Sequence, residues 1–378
     1  MKNRIAGVLA AAAVVLPAAV LAEVVVGVQI TATGSAAAIG IPYRNTFALL
    51  PKTVAGETIR YVVLDDASDT TTAVRNARKL VTEDKADILI GSTITPASLA
   101  VAEVAAETKT PQISLAPVVA PPDKFPWVFA VPQAVPVMID AVVEDMKAKG
   151  VKTVGYIGFN DSWGEIVYKG LAAATERAGI KIVANERFAR TDTSATAQAL
   201  KIMSESPDAV LVGGSGTPST LPQITLRERG YKGLVYQTHG SIGRDFIRVG
   251  GKNVEGARAP TGPLMVAEDL PDSNPIKKVS TDFFKQYESA YGAGTRNAFS
   301  GYSYDAFLLL QAALPAALAK AKPGTPEFRQ ALRDALENVK EVVGTHAVYT
   351  MSPKDHNGID NRSRVMVQVA NGEWKLAQ

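Results

Sequence analysis

Cysteine is absent from the 378 residues, which excludes disulfides, thiolate metal sites and cysteine nucleophiles. Histidine is scarce. His239, His346 and His356 show no HExxH or other close ligand spacing, so no metal site is expected. The chain has neither a GxxxxGK[ST] phosphate loop nor a GxGxxG fingerprint. An excess of one charge is missing too: 40 Lys and Arg face 37 Asp and Glu, too small a margin to point to nucleic acid. Glycine and proline, 30 and 22 residues, make up about half the share of a low-complexity chain. What remains is an ordinary globular composition, 47% hydrophobic. Its length suits two domains of roughly 150 to 200 residues, each with its own core.

The one long apolar run lies at the N-terminus. Lys2 and Arg4 precede an apolar stretch from Ile5 to Ala19, broken only by Pro17, and Val20-Leu21-Ala22 ends it with small residues. The run falls short of the roughly 20 apolar residues of a spanning helix and ends at Glu23 without a stop-transfer cluster. Residues 1–22 are therefore read as a cleaved signal peptide rather than a transmembrane anchor. Removing Lys2 and Arg4 from the 40 basic residues leaves 38 against 37 acidic. The expectation is a near-neutral, soluble, periplasmic protein, and a chain without cysteine suits that oxidising compartment.

From Glu23 short apolar runs alternate with amphipathic ones. Val24–Ile30, Ile59–Leu64, Asp87–Ile90 and Ile113–Leu115 read as strands. Between them, Thr70–Thr82 places Val74, Ala77, Leu80 and Val81 at helical spacing, and Pro96 opens another helix with Thr95 as its expected cap. Six prolines between Pro117 and Pro136 rule out a regular helix there. The same alternation then resumes, with strands at Val154–Ile157, Ile180–Phe188, Ala209–Val212 and Val235–Gln237. Helices are expected at Trp163–Ala178, Ala195–Met203 and Thr217–Arg229. Two βα blocks of similar size imply two parallel sheets covered by helices. Three helical stretches follow (Asn274–Tyr291, Ser300–Lys320, Thr325–Val339), then a hairpin around Asn371-Gly372. A chain that builds both lobes and then returns to each would cross between them two or three times, as a hinge.

Catalytic signatures are weak. Gly213-Gly214-Ser215-Gly216-Thr217 approaches a nucleophile elbow, but Thr217 stands where its last glycine belongs. Asp65, Asp66 and Asp69 lack the glycine and distal glutamate of a calcium loop, and read as a strand-to-helix turn with a cap. The chain is read as a non-enzyme with no cofactor.

Binding signatures are better placed. In open parallel sheets ligands lie beyond the carboxyl ends of the strands. In the first block those ends carry Ser35, Ser92, Thr93, Thr95, Ala116 and Val118. In the second they carry Phe159, Trp163, Ser215 and His239. Hydroxyls and free N–H groups at helix starts favour a carboxylate. Trp163, between Ser162 and Gly164 at a helix start, reads as a flat wall for the ligand, although an aromatic at a strand end can also be core.

In chain order, Thr33-Gly34-Ser35 with Gly40, Asp65-Asp66, Ile90-Gly91-Ser92, Pro111-Gln112-Ile113-Ser114, Asp161-Ser162-Trp163-Gly164 and Val212-Gly213-Gly214 form a pattern. It resembles the periplasmic solute-binding proteins of ABC importers of the branched-chain amino acid (Leu/Ile/Val-binding) type. The resemblance extends to the terminal Asn371-Gly372-Glu373-Trp374. It implies an α/β fold of two Rossmann-like lobes, each a mostly parallel sheet flanked by helices, joined by a three-segment hinge (the type I periplasmic binding protein fold). Lobe 1 would comprise 23–131 and 260–345, and lobe 2 would comprise 132–259 and 346–378. It implies a monomer that closes over a small carboxylate and presents it to membrane permease subunits.

By motif position the carboxylate loops match Ser92–Thr95 and Ala116–Val118, and Trp163 stands where tyrosine is usual. The acidic partner of a ligand ammonium falls near Thr238-His239-Gly240, where no acid stands; Asp245 or Glu165 remain as substitutes. A desolvated ammonium without an anionic partner is costly. The expected ligand is therefore an aromatic acid or aromatic keto acid, with branched-chain or other amino acids as the alternative and short amides or urea third. A ligand sensor feeding a membrane receptor is the alternative of another class, and a hydrolase using Ser215 or His239 a third.

Overall fold

The computed structural model describes residues 23–377; the expected signal peptide lies outside them. The chain opens with β1 (Glu23–Ile30), α1 (Ala37–Leu49), β2 (Thr53–Val54), β3 (Glu57–Asp65) and α2 (Thr70–Thr82). β4 (Ile88–Ile90), α3 (Thr95–Thr108), β5 (Gln112–Ser114) and β6 (Val128–Ala130) complete a six-stranded sheet of order β2-β3-β1-β4-β5-β6. All its pairings are parallel except that of the short β2 with β3. Its central strands are buried on both faces, which is why they read as unbroken apolar runs rather than as an alternation.

The second block runs α4 (Val135–Ala148), β7 (Thr153–Phe159), α5 (Ser162–Ala178), β8 (Lys181–Phe188), α6 (Thr196–Ser204) and β9 (Ala209–Gly213). α7 (Thr220–Glu228), β10 (Leu234–Gln237), α8 (Arg244–Gly250) and β11 (Arg258–Thr261) follow. Three further helices come next: α9 (Pro275–Tyr291), α10 (Ala298–Leu318) and α11 (Pro326–Glu337). The chain ends with a two-stranded β12 (Val342–Val343) and β13 (Val348–Tyr349), then β14 (Val365–Ala370) and β15 (Glu373–Leu376). The second sheet has the order β15-β14-β11-β10-β9-β7-β8, in which only β14 runs against the rest, pairing antiparallel with β11 and β15. Asn371 and Gly372 both take positive φ in the closing turn, the geometry of a two-residue hairpin loop.

Two large cores match the two sheets. The first joins β1, β4 and α3 to α10 and α11; the second joins β7, β9, β10, α4 and α5. The fold is thus the expected pair of helix-flanked, mostly parallel sheets. Ala347, Tyr349 and Met351 belong to the first core, so packing with that lobe continues past residue 345.

Three details differ from the sequence reading. At the start of α3 Ile94 occupies the cap position without a side-chain hydrogen bond, with Thr95 as the first helical residue and Pro96 within the first turn; the Thr95 hydroxyl donates instead to the Pro117 carbonyl at 2.8 Å. The proline-rich stretch contains β6, which adds a parallel strand at the sheet edge. α4 follows at once, with Pro136 in its first turn, and buries Val135, Met138, Ile139, Val142, Val143 and Met146, a helical spacing already present in the sequence. Asp69 does cap α2, accepting from Thr72 N–H at 2.7 Å.

The crossings between lobes are tied together by side chains. Tyr302 of α10 donates to Gln133 at 2.6 Å, and Gln133 donates to the Ser363 carbonyl at 2.9 Å. Asn357 donates to the carbonyls of both Ala130 and Pro132. Within the 352–358 segment Asp355 accepts from Asn357 and Gly358 N–H, and His356 stacks on Phe129 with centroids 4.2 Å apart. That histidine packs against β6 beside the crossings.

Candidate functional site

The carboxyl ends of the two sheets face each other across a narrow cavity. Its lining includes Thr93, Ile94 and Thr95 at the start of α3, and Leu115, Ala116 and Pro117 after β5. Ile39 and Tyr43 of α1 and Phe299 and Tyr302 of α10 complete the first-lobe wall. Trp163, Arg190, Ser215, His239 and Gly240 form the second-lobe wall, and Pro132 of the first crossing closes the end. The lobes are apposed here. A Cβ on Gly216 would come within 3.2 Å of Ile39, and Gly216 itself adopts φ +60, so a side chain at this position meets both local strain and the opposite lobe.

The first-lobe wall is made of short polar groups on a rigid base. Asp66 is buried and accepts from the hydroxyls of Thr31 and Ser92. Ser92 in turn accepts from Thr93 N–H at 2.6 Å, and Thr93 Oγ1 accepts from Thr31 N–H at 3.1 Å. Tyr43 is held in place by donating to the Leu115 carbonyl at 2.7 Å. The N–H groups of the first turn of α3 have no intrahelical acceptor, so this wall suits an acceptor group.

The second-lobe wall carries the charge. One Asp161 oxygen caps α5, accepting from Trp163 and Gly164 N–H at 3.0 and 3.2 Å. Its other oxygen accepts from Arg190 Nε at 2.6 Å. The Arg190 guanidinium lies 4.1 Å over the Phe159 ring and donates through Nη1 to Ser215 Oγ at 3.0 Å. The side chain is only 13% exposed and lines the cavity. Burial lowers the pKa of this arginine and the Asp161 charge raises it; a guanidinium stays charged throughout. Trp163 is fixed by donating its indole N–H to the Gly214 carbonyl at 3.0 Å, with the His239 ring edge-on at 5.5 Å.

His239 is neutral. Burial, reinforced by the neighbouring His346, brings its pKa down to about 3; burial brings His346 down to about 4. In the unfolded chain both rings take up protons as pH falls below about 6.5, and the folded protein does not follow until far lower, so acid favours unfolding. Buried Asp305, pushed up to about 6, has the opposite sign and offsets one histidine between about pH 6 and 4. A His239→Phe protein should therefore gain on the wild type by about 1.4 kcal/mol per pH unit below 6.5. Urea midpoints of both proteins at pH 7, 6 and 5 check this; a constant difference would contradict it.

Of the ten residues the sequence nominates, Thr93, Thr95, Ala116, Trp163, Ser215 and His239 line the cavity. The other four do not. Ser92 lies beneath it as a support, and Phe159 is wholly buried, packed on Phe188 and under Arg190. Ser35 is half-buried in the middle of a short 3-10 turn, and Val118 lines a different groove beside Pro121 and Lys354. Neither substitute acid reaches the cavity: Glu165 pairs with Lys169 and Arg187, and Asp245 with Arg248. The reading missed Arg190, although it sits two residues past the carboxyl end of β8, where such a group belongs. It also missed Phe299 and Tyr302, which come from a helix that returns to the first lobe and so follow no strand end.

Residues 23–373 match the periplasmic binding protein family. A solved extracellular ligand-binding receptor from Rhodopseudomonas palustris is 47% identical, with a TM-score of 0.92 over 94% of this chain and 99% of that one. The leucine-binding protein LivK of Thermotoga maritima is 22% identical, with a TM-score of 0.81 over 94% and 98% of the two chains. LivJ of Streptococcus pneumoniae, solved in complex with isoleucine, is 20% identical, with a TM-score of 0.79 over 93% and 98%; at these identities the likeness shows the fold.

Proposed function

The chain belongs to the periplasmic binding protein family, and we propose that it is the substrate-binding component of an ABC importer that captures an aromatic acid or aromatic keto acid between its lobes. The observation that carries this reading is the cavity's charge: Arg190 is the one charged side chain lining it among the described residues. An anion finds a guanidinium there, shared with Asp161 behind the wall, whereas an ammonium finds no carboxylate lining the cavity and must leave water unpaired. Around that charge the walls are flat and apolar, with Trp163, Tyr43, Phe299 and Tyr302 as rings and Ile39, Ile94 and Leu115 as aliphatic fill, the composition of a small-molecule site with few polar anchors. We place Ser215, Thr93 and Thr95 in the site as hydroxyl contacts. Binding across both walls would favour the apposed arrangement of the lobes, the state a permease would recognise.

The experiment is a fluorescence titration of the mature chain, residues 23–378, using Trp163 as the reporter. 3-Phenylpropanoate should change the tryptophan emission saturably, and 3-phenylpropan-1-amine, of the same shape and opposite charge, should not. Saturation by the amine alone would reverse the reading.

A further inference from the structure

One side chain behind the cavity wall reaches all three crossings between the lobes. Gln133 lies in the first crossing, between Val131 of the first core and Val135 of the second, and is fully buried. Its amide oxygen accepts from the Tyr302 hydroxyl at 2.6 Å. Its amide nitrogen donates at 2.9 Å to the carbonyl of Ser363, in the third crossing just before β14. A carbonyl only accepts, so the nitrogen must face Ser363 and the oxygen must take its proton from Tyr302. In the second crossing, which leaves β11, a Cβ on Gly262 would sit 2.6 Å from Gln133 Nε2, so the amide packs directly on that glycine.

The other end of this link is the cavity itself. Tyr302 is a ring of the first-lobe wall, and its hydroxyl leads from that wall to Gln133. The same ring stacks on His346 with centroids 4.1 Å apart. The His346 ring also lies on Gly262, where a Cβ would come within 2.0 Å of Nδ1. It is fixed to α10 through Nε2, 2.7 Å from the Ala298 carbonyl, and through its backbone N–H, which donates to Asp305. Tyr302, Gln133 and His346 thus form one buried block that joins α10 and the cavity wall to the crossings.

A hinge turns by changing backbone torsions in its crossings, which then move against one another. Two bonds that run from one side chain, to a first-lobe helix and to a second crossing, are both met in one setting of the hinge. In other settings the Tyr302 hydroxyl, the Gln133 amide or the Ser363 carbonyl loses its partner, and a buried polar group without one costs free energy. Resting on the reading that the lobes close over a ligand, we propose that Gln133 is a positioning residue for binding. It acts through Tyr302, holds the crossings in the setting that apposes the two cavity walls, and so contributes to affinity without touching the ligand. A ligand packed on the Tyr302 ring holds the same link from its other end.

The chain has no cysteine, so a spin-label pair can be placed without background at exposed sites, Thr71→Cys on α2 of the first lobe and Leu200→Cys on α6 of the second. Pulsed dipolar distances are measured in this labelled parent, in Tyr302→Phe, in Gln133→Leu and in the double variant, with and without 3-phenylpropanoate, beside calorimetric affinities. Tyr302→Phe keeps the ring on the wall and on His346 and removes only the hydroxyl. In either single variant the ligand-free fraction at the distance of the apposed lobes should fall about fivefold or more, the size of one buried group left unpaired. The dissociation constant should rise by a like factor, and the double variant should bind no worse than Gln133→Leu, since both changes cut one link. A ligand-free distribution shared by the parent and both variants would overturn the proposal, even with lowered denaturant midpoints, because a mere brace moves only those. So would a loss of affinity confined to Tyr302→Phe, which would give the hydroxyl to the ligand. Binding of 3-phenylpropanoate by none of the proteins, the parent included, would sink the carboxylate reading, and the ligand-free distances would still decide on Gln133. Should Gln133→Leu not fold, Tyr302→Phe decides by its ligand-free distances.

Discussion

Arg190→Met is expected to weaken the binding of an aromatic carboxylate by about thirtyfold or more. Truncating one member of a buried, hydrogen-bonded charge pair at a binding surface costs roughly 2 to 5 kcal/mol, and each 1.4 kcal/mol is tenfold in affinity. Methionine keeps the aliphatic cover over Phe159, and Asp161 retains the Trp163 and Gly164 N–H groups, so the lobe should remain folded. Lysine at the same position keeps the charge but loses the fork that holds Asp161 and Ser215 together, and should fall between. Calorimetric titration of both proteins with 3-phenylpropanoate measures the loss; an unchanged dissociation constant for Arg190→Met would reduce the arginine to a brace for Asp161.

The second large effect belongs to Trp163. It is 3% exposed, shared between the second-lobe core and the cavity wall, so Trp163→Ala should cost about 3 to 5 kcal/mol of stability and at least about tenfold in affinity from the lost contact area. The two losses are separable. Trp163→Phe keeps a flat ring and gives up only the indole N–H to Gly214, whose carbonyl still receives the Thr238 hydroxyl at 2.7 Å. It should recover most of the affinity. Denaturant midpoints beside dissociation constants distinguish them, and a Phe variant as weak as the Ala variant would mean that the wall acts through its shape at Gly214 rather than through its face.

Much of the fold was legible because its strands are buried on both faces and its helices on one. Val24 to Ile30 and Ala209 to Val212 could be little else than central strands, and Thr70 to Thr82 little else than a surface helix. Legibility failed where proline misled: β6 fits between Pro126 and Pro132 without containing a proline, and α4 takes Pro136 in its first turn, where it is tolerated. At the site, the rule that ligands lie beyond strand ends found Thr93, Ala116, Trp163, Ser215 and His239. It failed on Phe159, which points into the core because Arg190 lies over it, and on Tyr302, which the chain delivers from a later helix. The missing acid near His239 was visible as a gap in a motif. That Arg190 is there to answer a carboxylate was not visible, because its meaning comes from Phe159 and Asp161 at the end of β7 and Ser215 past the end of β9 converging on it.

The central claim is that this cavity holds a carboxylate and offers nothing to an ammonium. A thermal-shift screen of residues 23–378 against amino acids, aromatic acids, keto acids and amides tests it most directly, since a ligand at about a hundred times its dissociation constant adds nearly 3 kcal/mol of stability. The account predicts upward shifts with aromatic acids and keto acids and none with leucine, isoleucine or valine. Shifts confined to the branched-chain amino acids would contradict it.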